Sequence, residues 1–193
     1  MLDFLKNSQG ELLNLFFRDP EREFYLSEIG KTLNKPASYY QRYLDEYVTT
    51  GILLDERKGN LRFFHLNKKF PIYQELKSII SKTIGVEYQL NNLIKLLSEL
   101  KCAFIFGSIA KHKENASSDI DLILIGPVNQ DILINEIVRL ELELGRDINY
   151  HIYEGNEVVE KIKKGNSFLV NIFTEPMIVL KGDPNEYSRF IKK

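Results

Sequence analysis

Apolar residues recur at helical spacing early in the chain, where Leu12, Leu13, Phe16 and Phe17 share one face and the pattern stops at Asp19-Pro20. The residue before a proline is turned away from the helical region, so a short helix is predicted to end there. Ser27 is placed to cap a second helix with Ile29 and Leu33 on its inner face. The turn Asn34-Lys35-Pro36 then leads into a third helix, from about residue 36 to 50, which buries Tyr40, Leu44, Tyr47 and Val48 and is closed by Gly51. After Gly51 the period shortens to two. Residues 52–55 and 61–66 read as strands joined by a turn around residues 57–60.

Residues 70–100 return to the helical period, with a break or bend near Gly85. Ile72, Leu76, Ile79, Ile80 and Thr83 give way there to Leu90, Leu93, Ile94 and Leu97. The first stripe is expected either to pack within the chain or to meet a second copy, and the second to cover a later sheet. Two apolar strands bracket residues 104–125, and a further strand at 147–153 follows a helix and the turn Leu144-Gly145-Arg146. Two short helices, 157–164 and 167–173, are separated by Gly165-Asn166. Residues 176–181 then form an edge strand, because Pro176 removes a ladder donor. Gly182-Asp183-Pro184 ends it, and Tyr187, Phe190 and Ile191 pack the tail back at helical spacing.

Composition narrows the class without naming a function. A chain of 193 residues, 44% hydrophobic and 27% charged, fits one large soluble domain or two small ones, and two modest domains match the two patterns. A net charge of -1 and a pI near 6.3 provide no global attraction to nucleic acid or anionic membrane, so any DNA contact must be local. The single cysteine, Cys102, lies in an apolar strand as a small buried hydrophobe and excludes a disulfide within the chain. There is no signal-peptide order at the start and no apolar run near the roughly 18 residues of a membrane span, which makes the cytoplasm the expected location. His65, His112 and His151 lack metal-ligand spacing, and His65 is placed on the hairpin surface.

The chemistry concentrates between residues 104 and 125. The first strand ends in Gly107-Ser108, and the second carries Asp119 and Asp121 on alternate positions. Strand side chains alternate between faces, so both carboxylates leave one face while Ile120 and Leu122 enter a core. Two acids so placed repel unless a cation joins them, and oxygen donors at this spacing suit Mg²⁺, which completes its shell with water and phosphates. Gly107 lets a phosphorylated ligand approach the backbone, and Ser108 stands where a helix could present free N–H groups to it.

Gly107-Ser108, a spacer and Asp119-Ile120-Asp121 between apolar strands resemble the polymerase-β-type nucleotidyltransferase superfamily in its minimal form, over residues 86–182. The resemblance implies that the Gly-Ser turn holds nucleotide phosphates and that three strand-borne carboxylates hold two metal ions. Carried over by position, Asp119 and Asp121 are the catalytic and metal-binding acids, and Gly107, Ser108 and Lys111 contact the nucleotide. The implied cofactor is Mg²⁺ or Mn²⁺, with a nucleoside triphosphate as ligand or substrate. Two departures follow. Asn149 stands where the third acid is expected, with Asp147 and His151 on the same strand face as substitutes, and Lys111-His112 replaces the Arg-Gly pair of many members.

The N-terminal pattern, three helices and a basic-tipped hairpin, resembles a winged helix-turn-helix domain over residues 8–70. That resemblance implies a third helix in the major groove and a wing on the DNA backbone or minor groove. The residues it points to are Lys35, Ser38, Tyr39, Gln41 and Arg42, with Arg57 and Lys58 on the wing. Residues 1–70 hold 11 Lys/Arg against 10 Asp/Glu, yet residues 31–42 hold Lys31, Lys35 and Arg42 and no acid.

The expected fold is therefore α+β: a winged helix-turn-helix domain at 1–70, a helical connector at 71–85, and a nucleotidyltransferase-like α/β domain with a mixed sheet at 86–193. The expected function is a DNA-binding transcriptional regulator, a homodimer, whose second domain binds a metal–nucleoside triphosphate with weak or specialised transfer activity. The alternative is an active nucleotidyltransferase that moves a nucleoside monophosphate to a protein or small-molecule acceptor.

Overall fold

Two separate sheets organise the protein. The computed structural model describes residue 5, residues 7–111, residue 113 and residues 118–191. They form two units, the first ending at Tyr88 and the second beginning at Gln89.

The first unit runs α1 (Ser8–Arg18), β1 (Phe24–Tyr25), α2 (Leu26–Thr32), α3 (Ser38–Thr49), β2 (Leu53–Lys58), β3 (Leu61–Leu66) and α4 (Tyr73–Thr83). Asn7 caps α1, its side chain accepting from the Gln9 N–H at 2.9 Å. Leu12, Phe16, Phe24, Ile29, Tyr40, Leu44, Leu53 and Phe64 close the core, none more than 1% exposed. Phe16 meets Phe24 edge to face at 5.3 Å. The sheet is antiparallel in the order β1-β3-β2, and only Gly59 and Asn60 separate the hairpin strands, a tighter turn than the pattern suggested.

Three expectations change here. Ser27 does not cap α2: Phe24 and Tyr25 pair with Phe64 and Phe63 and run straight into the helix, so Tyr25 takes the cap position and Ser27 falls inside the first turn. In α4 the buried stripe is Tyr73, Leu76 and Ile80, packed into this unit's own core, while Ile72 is 53% and Ile79 38% exposed. His65 is half-buried rather than a surface residue, with a buried Nδ1 that has no hydrogen-bond partner among the described residues.

The boundary falls within α5 (Val86–Leu96), whose Leu90, Leu93 and Ile94 are buried, as is Leu97 after it. There follow β4 (Cys102–Phe106), α6 (Gly107–Ala110), β5 (Ile120–Ile125), α7 (Gln130–Leu144), β6 (Ile148–Tyr153), α8 (Gly155–Lys163), α9 (Ser167–Thr174), β7 (Ile178–Lys181) and α10 (Asn185–Ser188). The sheet is mixed, in the order β6-β5-β4-β7, with β5 and β6 parallel and the other pairs antiparallel. A parallel pair needs a long crossover, and α7 supplies it, ending on Gly145 in the left-handed region (φ 63°).

In β5, Ile120, Leu122, Ile123, Leu124 and Ile125 are all 0% exposed, so both sheet faces are covered at the centre. On one face, Cys102, Phe104, Ile123 and Ile125 pack against Val158 and Ile162 of α8, Leu169, Ile172 and Phe173 of α9, and Tyr187 of α10. Burial pushes the Cys102 thiol up to about 12, which leaves it an inert apolar filler. β7 takes the edge, two residues after Pro176. Among the described residues, no helix is long and apolar enough to cross a membrane.

Candidate functional site

The sheet register brings the predicted residues into one row. Asp121 of β5 lies directly opposite Phe106 of β4 on one side and Asn149 of β6 on the other. Asp119 sits one residue ahead of β5, where the Asn149 Nδ2 donates to its Oδ2 at 3.0 Å. Asp121 is half-buried, and burial holds its carboxyl above the usual range. The Asp119 charge adds to the rise, while the Asn149 amide and His151 oppose it.

Gly107 begins α6 with φ +73°, a conformation side chains rarely adopt. A Cβ there would stand 2.2 Å from the Asp121 Oδ2, so the space that glycine leaves is the space the carboxylate occupies. Gly107→Ala is therefore expected to destabilise the fold by about 1–2 kcal/mol through the backbone alone, and to push Asp121 out of the row. Thermal melting would read the first effect and metal-dependent nucleotide titration the second. A variant unchanged in both would show that the close packing is slack.

Ser108 follows in the first turn of α6, partly exposed, beside backbone N–H groups that a helix start leaves unpaired within the helix. The Lys111 ammonium is held by Glu175 at 2.6 Å, a partner with no local sequence signal because it lies just before β7, far along the chain. His112 lies outside the described residues. Asp147 precedes β6, and its carbonyl accepts from the Ile120 N–H at 2.9 Å. It lines an open cleft of about 500 Å³ together with Asp119, Glu141 and Arg146. His151 instead joins a cluster of rings with Phe106 and Phe168.

Neither candidate substitute completes a third ligand. Among the described residues, no group of three or more His, Cys, Asp or Glu side chains is placed to hold a metal. Two carboxylates with an amide beside them are nevertheless a hard oxygen donor set. It fits a single Mg²⁺ that brings phosphate and water ligands with it, and falls one charge short of a three-carboxylate site.

In the first unit, Ser38, Tyr39 and Arg42 are exposed on α3, and Gln41 is half-buried with its Nε2 donating to the Asp45 Oδ2 at 3.0 Å. Lys35 is paired with Glu11 at 2.5 Å, and Lys58 with Glu23. Arg57 is exposed near the hairpin tip opposite Arg62, whose guanidinium bridges Asp45 and Asp55. Asp45 and Glu46 are also exposed on α3, so the surface is of mixed sign.

A family model described as polymerase beta, nucleotidyltransferase, matches residues 88–185. No curated protein matches the chain. Among solved structures, similarity extends to a toxin–antitoxin complex with AMP-PNP, at 16% identity over 54% of this chain and 79% of that one, with a TM-score of 0.38. It extends also to a mutant of ZitR from Lactococcus lactis in its apo form, at 19% identity over 47% and 69%, with a TM-score of 0.35. A third is the tri-AMPylated Shewanella oneidensis HEPN toxin in complex with MNT antitoxin, at 17% identity over 54% and 78%, with a TM-score of 0.32. The family match takes in the Gly107-Ser108 turn, both acids of the row and the parallel strand beside them, and it covers just over half of the sequence: the chain belongs to the polymerase beta nucleotidyltransferase family.

Proposed function

We propose that the second unit binds a nucleoside triphosphate together with Mg²⁺ or Mn²⁺, and that its transfer of a nucleoside monophosphate to a protein or small-molecule acceptor is slow. The observation that carries this reading is the row itself, with the Asp121 carboxylate against Gly107, the Asp119 carboxylate held by Asn149, and that neutral amide in the third place. Asp119 and Asp121 would hold the metal, and the backbone at Gly107 and Ser108 would take the phosphates. Lys111, once freed from Glu175, would add a cation. When bound, the metal neutralises charge on the phosphates. Asn149 holds Asp119 in place by donating to it, but an amide does not take up the acceptor's proton at neutral pH. Binding and transition-state stabilisation are separable, so such a site can keep its nucleotide while turnover falls.

Calorimetry with ATP, GTP, CTP and UTP, each with Mg²⁺ and again with EDTA, tests the binding. Metal-dependent affinity for at least one is expected, and no binding to any of the four would sink the reading. Incubation of the same protein with labelled triphosphates and a host lysate tests the transfer.

For the first unit we infer a winged helix-turn-helix that binds DNA as a homodimer and regulates transcription. The order of three helices and a hairpin supports this, as does the exposure of Ser38, Tyr39, Arg42 and Arg57, with neither arginine ion-paired among the described residues. Lys35 and Lys58 would first have to leave Glu11 and Glu23, so their share is small. Arg42→Ala is expected to cost about 1–3 kcal/mol on a palindrome upstream of the gene. Arg57→Ala should instead weaken all duplexes and reduce the salt slope by about one unit. Fluorescence anisotropy on that duplex and a random one measures both. No binding to either at micromolar protein would leave the unit as a protein-recognition module.

A further inference from the structure

We propose that Phe106, His151 and Phe168 form a stacking platform for the nucleobase of the triphosphate held at Asp119 and Asp121. The proposal rests on the nucleotide reading above and adds where the base lies. On β6, Asn149 and His151 leave the same sheet face, one pleat apart, and His151 is registered beside Ile123, the next residue after Asp121 on that face of β5. Phe106 stands opposite Asp121. Phe168, in the first turn of α9, reaches over both: its ring lies 5.0 Å from that of His151 and 6.1 Å from that of Phe106, which are 6.5 Å from each other.

The same layer holds Phe104 and Phe173, which are 0% and 7% exposed. Phe168 is 40% exposed and His151 is exposed too, so the layer of rings opens at the end nearest the acids. Single exposed apolar residues need no explanation. Three rings converging one pleat from a carboxylate pair are a different arrangement, because one pleat is about 7 Å, a separation that the sugar and first phosphate of a nucleotide can span. Phe168 meets both neighbours edge to face, an arrangement in which ring planes are crossed rather than stacked into one closed pile. The base is the planar, partly apolar part of the ligand that would cover such a surface. Every base has a π-face, so the platform takes all four bases, with purines favoured by their larger area.

The test compares Mg²⁺–nucleoside triphosphates with Mg²⁺–tripolyphosphate, which has the phosphates and no base. Phe168→Ala is expected to weaken all four triphosphates by about five- to a hundredfold and to leave tripolyphosphate unchanged, while Phe168→Tyr keeps wild-type affinity. The chain has no tryptophan, so Phe168→Trp introduces a single reporter whose fluorescence should be quenched by a triphosphate and not by tripolyphosphate. That readout also serves if the alanine variant fails to fold. Equal losses for both ligands, no loss for either, or an unquenched tryptophan would overturn the platform. A wild-type protein that binds tripolyphosphate as tightly as a triphosphate would overturn the platform alone. A wild-type protein that binds neither would overturn the nucleotide reading and the platform with it.

Discussion

Replacing Asp119 and Asp121 together with asparagine is expected to abolish metal-dependent nucleotide binding. The two side chains start one pleat apart on the same strand face, and Asn149 ties the first of them to the neighbouring strand. A contact to a charged group is worth about 1.5–3 kcal/mol, so losing two should cost affinity about a hundredfold or more. Each single variant should lose part of this. The same change should not unfold the protein. Burial and Asp119 raise the Asp121 carboxyl above its ordinary value, so its ionised form costs stability in the absence of metal. That cost is absent at acid pH and grows as pH rises through the raised value. Without metal, Asp121→Asn should therefore melt higher than the wild type at neutral pH, and the difference should close in acid, where Asp121 is protonated. Undiminished nucleotide binding by calorimetry in the double variant would remove these acids from the site.

The acid row was legible in the sequence because it follows from the strand period alone. Once residues 104–125 read as two strands, Asp119 and Asp121 had to share a face and Ile120 and Leu122 had to be buried. The break at Gly85, the two helices around Gly165-Asn166 and the late edge strand were legible for the same reason, since each is marked by a change of period or by a glycine or proline. What escaped depends on pairing between distant segments. β1 is two residues long and exists only because Phe24 and Tyr25 find Phe64 and Phe63, and that pairing displaced the cap predicted at Ser27. In α4, Ile72 and Tyr73 are equally good apolar positions one residue apart, and only the core they meet selects Tyr73. Glu175 against Lys111 and Phe168 against His151 join positions that no local spacing relates. The surface of α3 shows the same limit. Residues 31–42 are free of acids in sequence, yet folding brings Glu11 to Lys35, and Asp45 lies beyond them on the exposed side of the helix.

Asn149→Asp is expected to raise the rate of nucleotidyl transfer, on the order of a hundredfold where a missing transition-state contact is restored, with little change in nucleotide affinity. Asn149 lies directly beside Asp121 in the parallel register and donates to Asp119, so a carboxylate there would join both acids in one row. Its charge would act as the acceptor's hydroxyl is deprotonated, a stage at which a neutral amide offers nothing. The substitution also has a readout independent of turnover. It exchanges a hydrogen bond to Asp119 for repulsion from two carboxylates, so the variant should melt below the wild type in EDTA and recover with Mg²⁺. Melting curves with and without metal, set beside time courses with labelled triphosphate, separate the outcomes. If the variant melts low and Mg²⁺ does not restore it, Asn149 serves as a structural clamp on Asp119. If turnover is unchanged and the wild type is already active, the proton is taken by another acid, and Asp147, which shares the cleft with Asp119, becomes the residue to replace next.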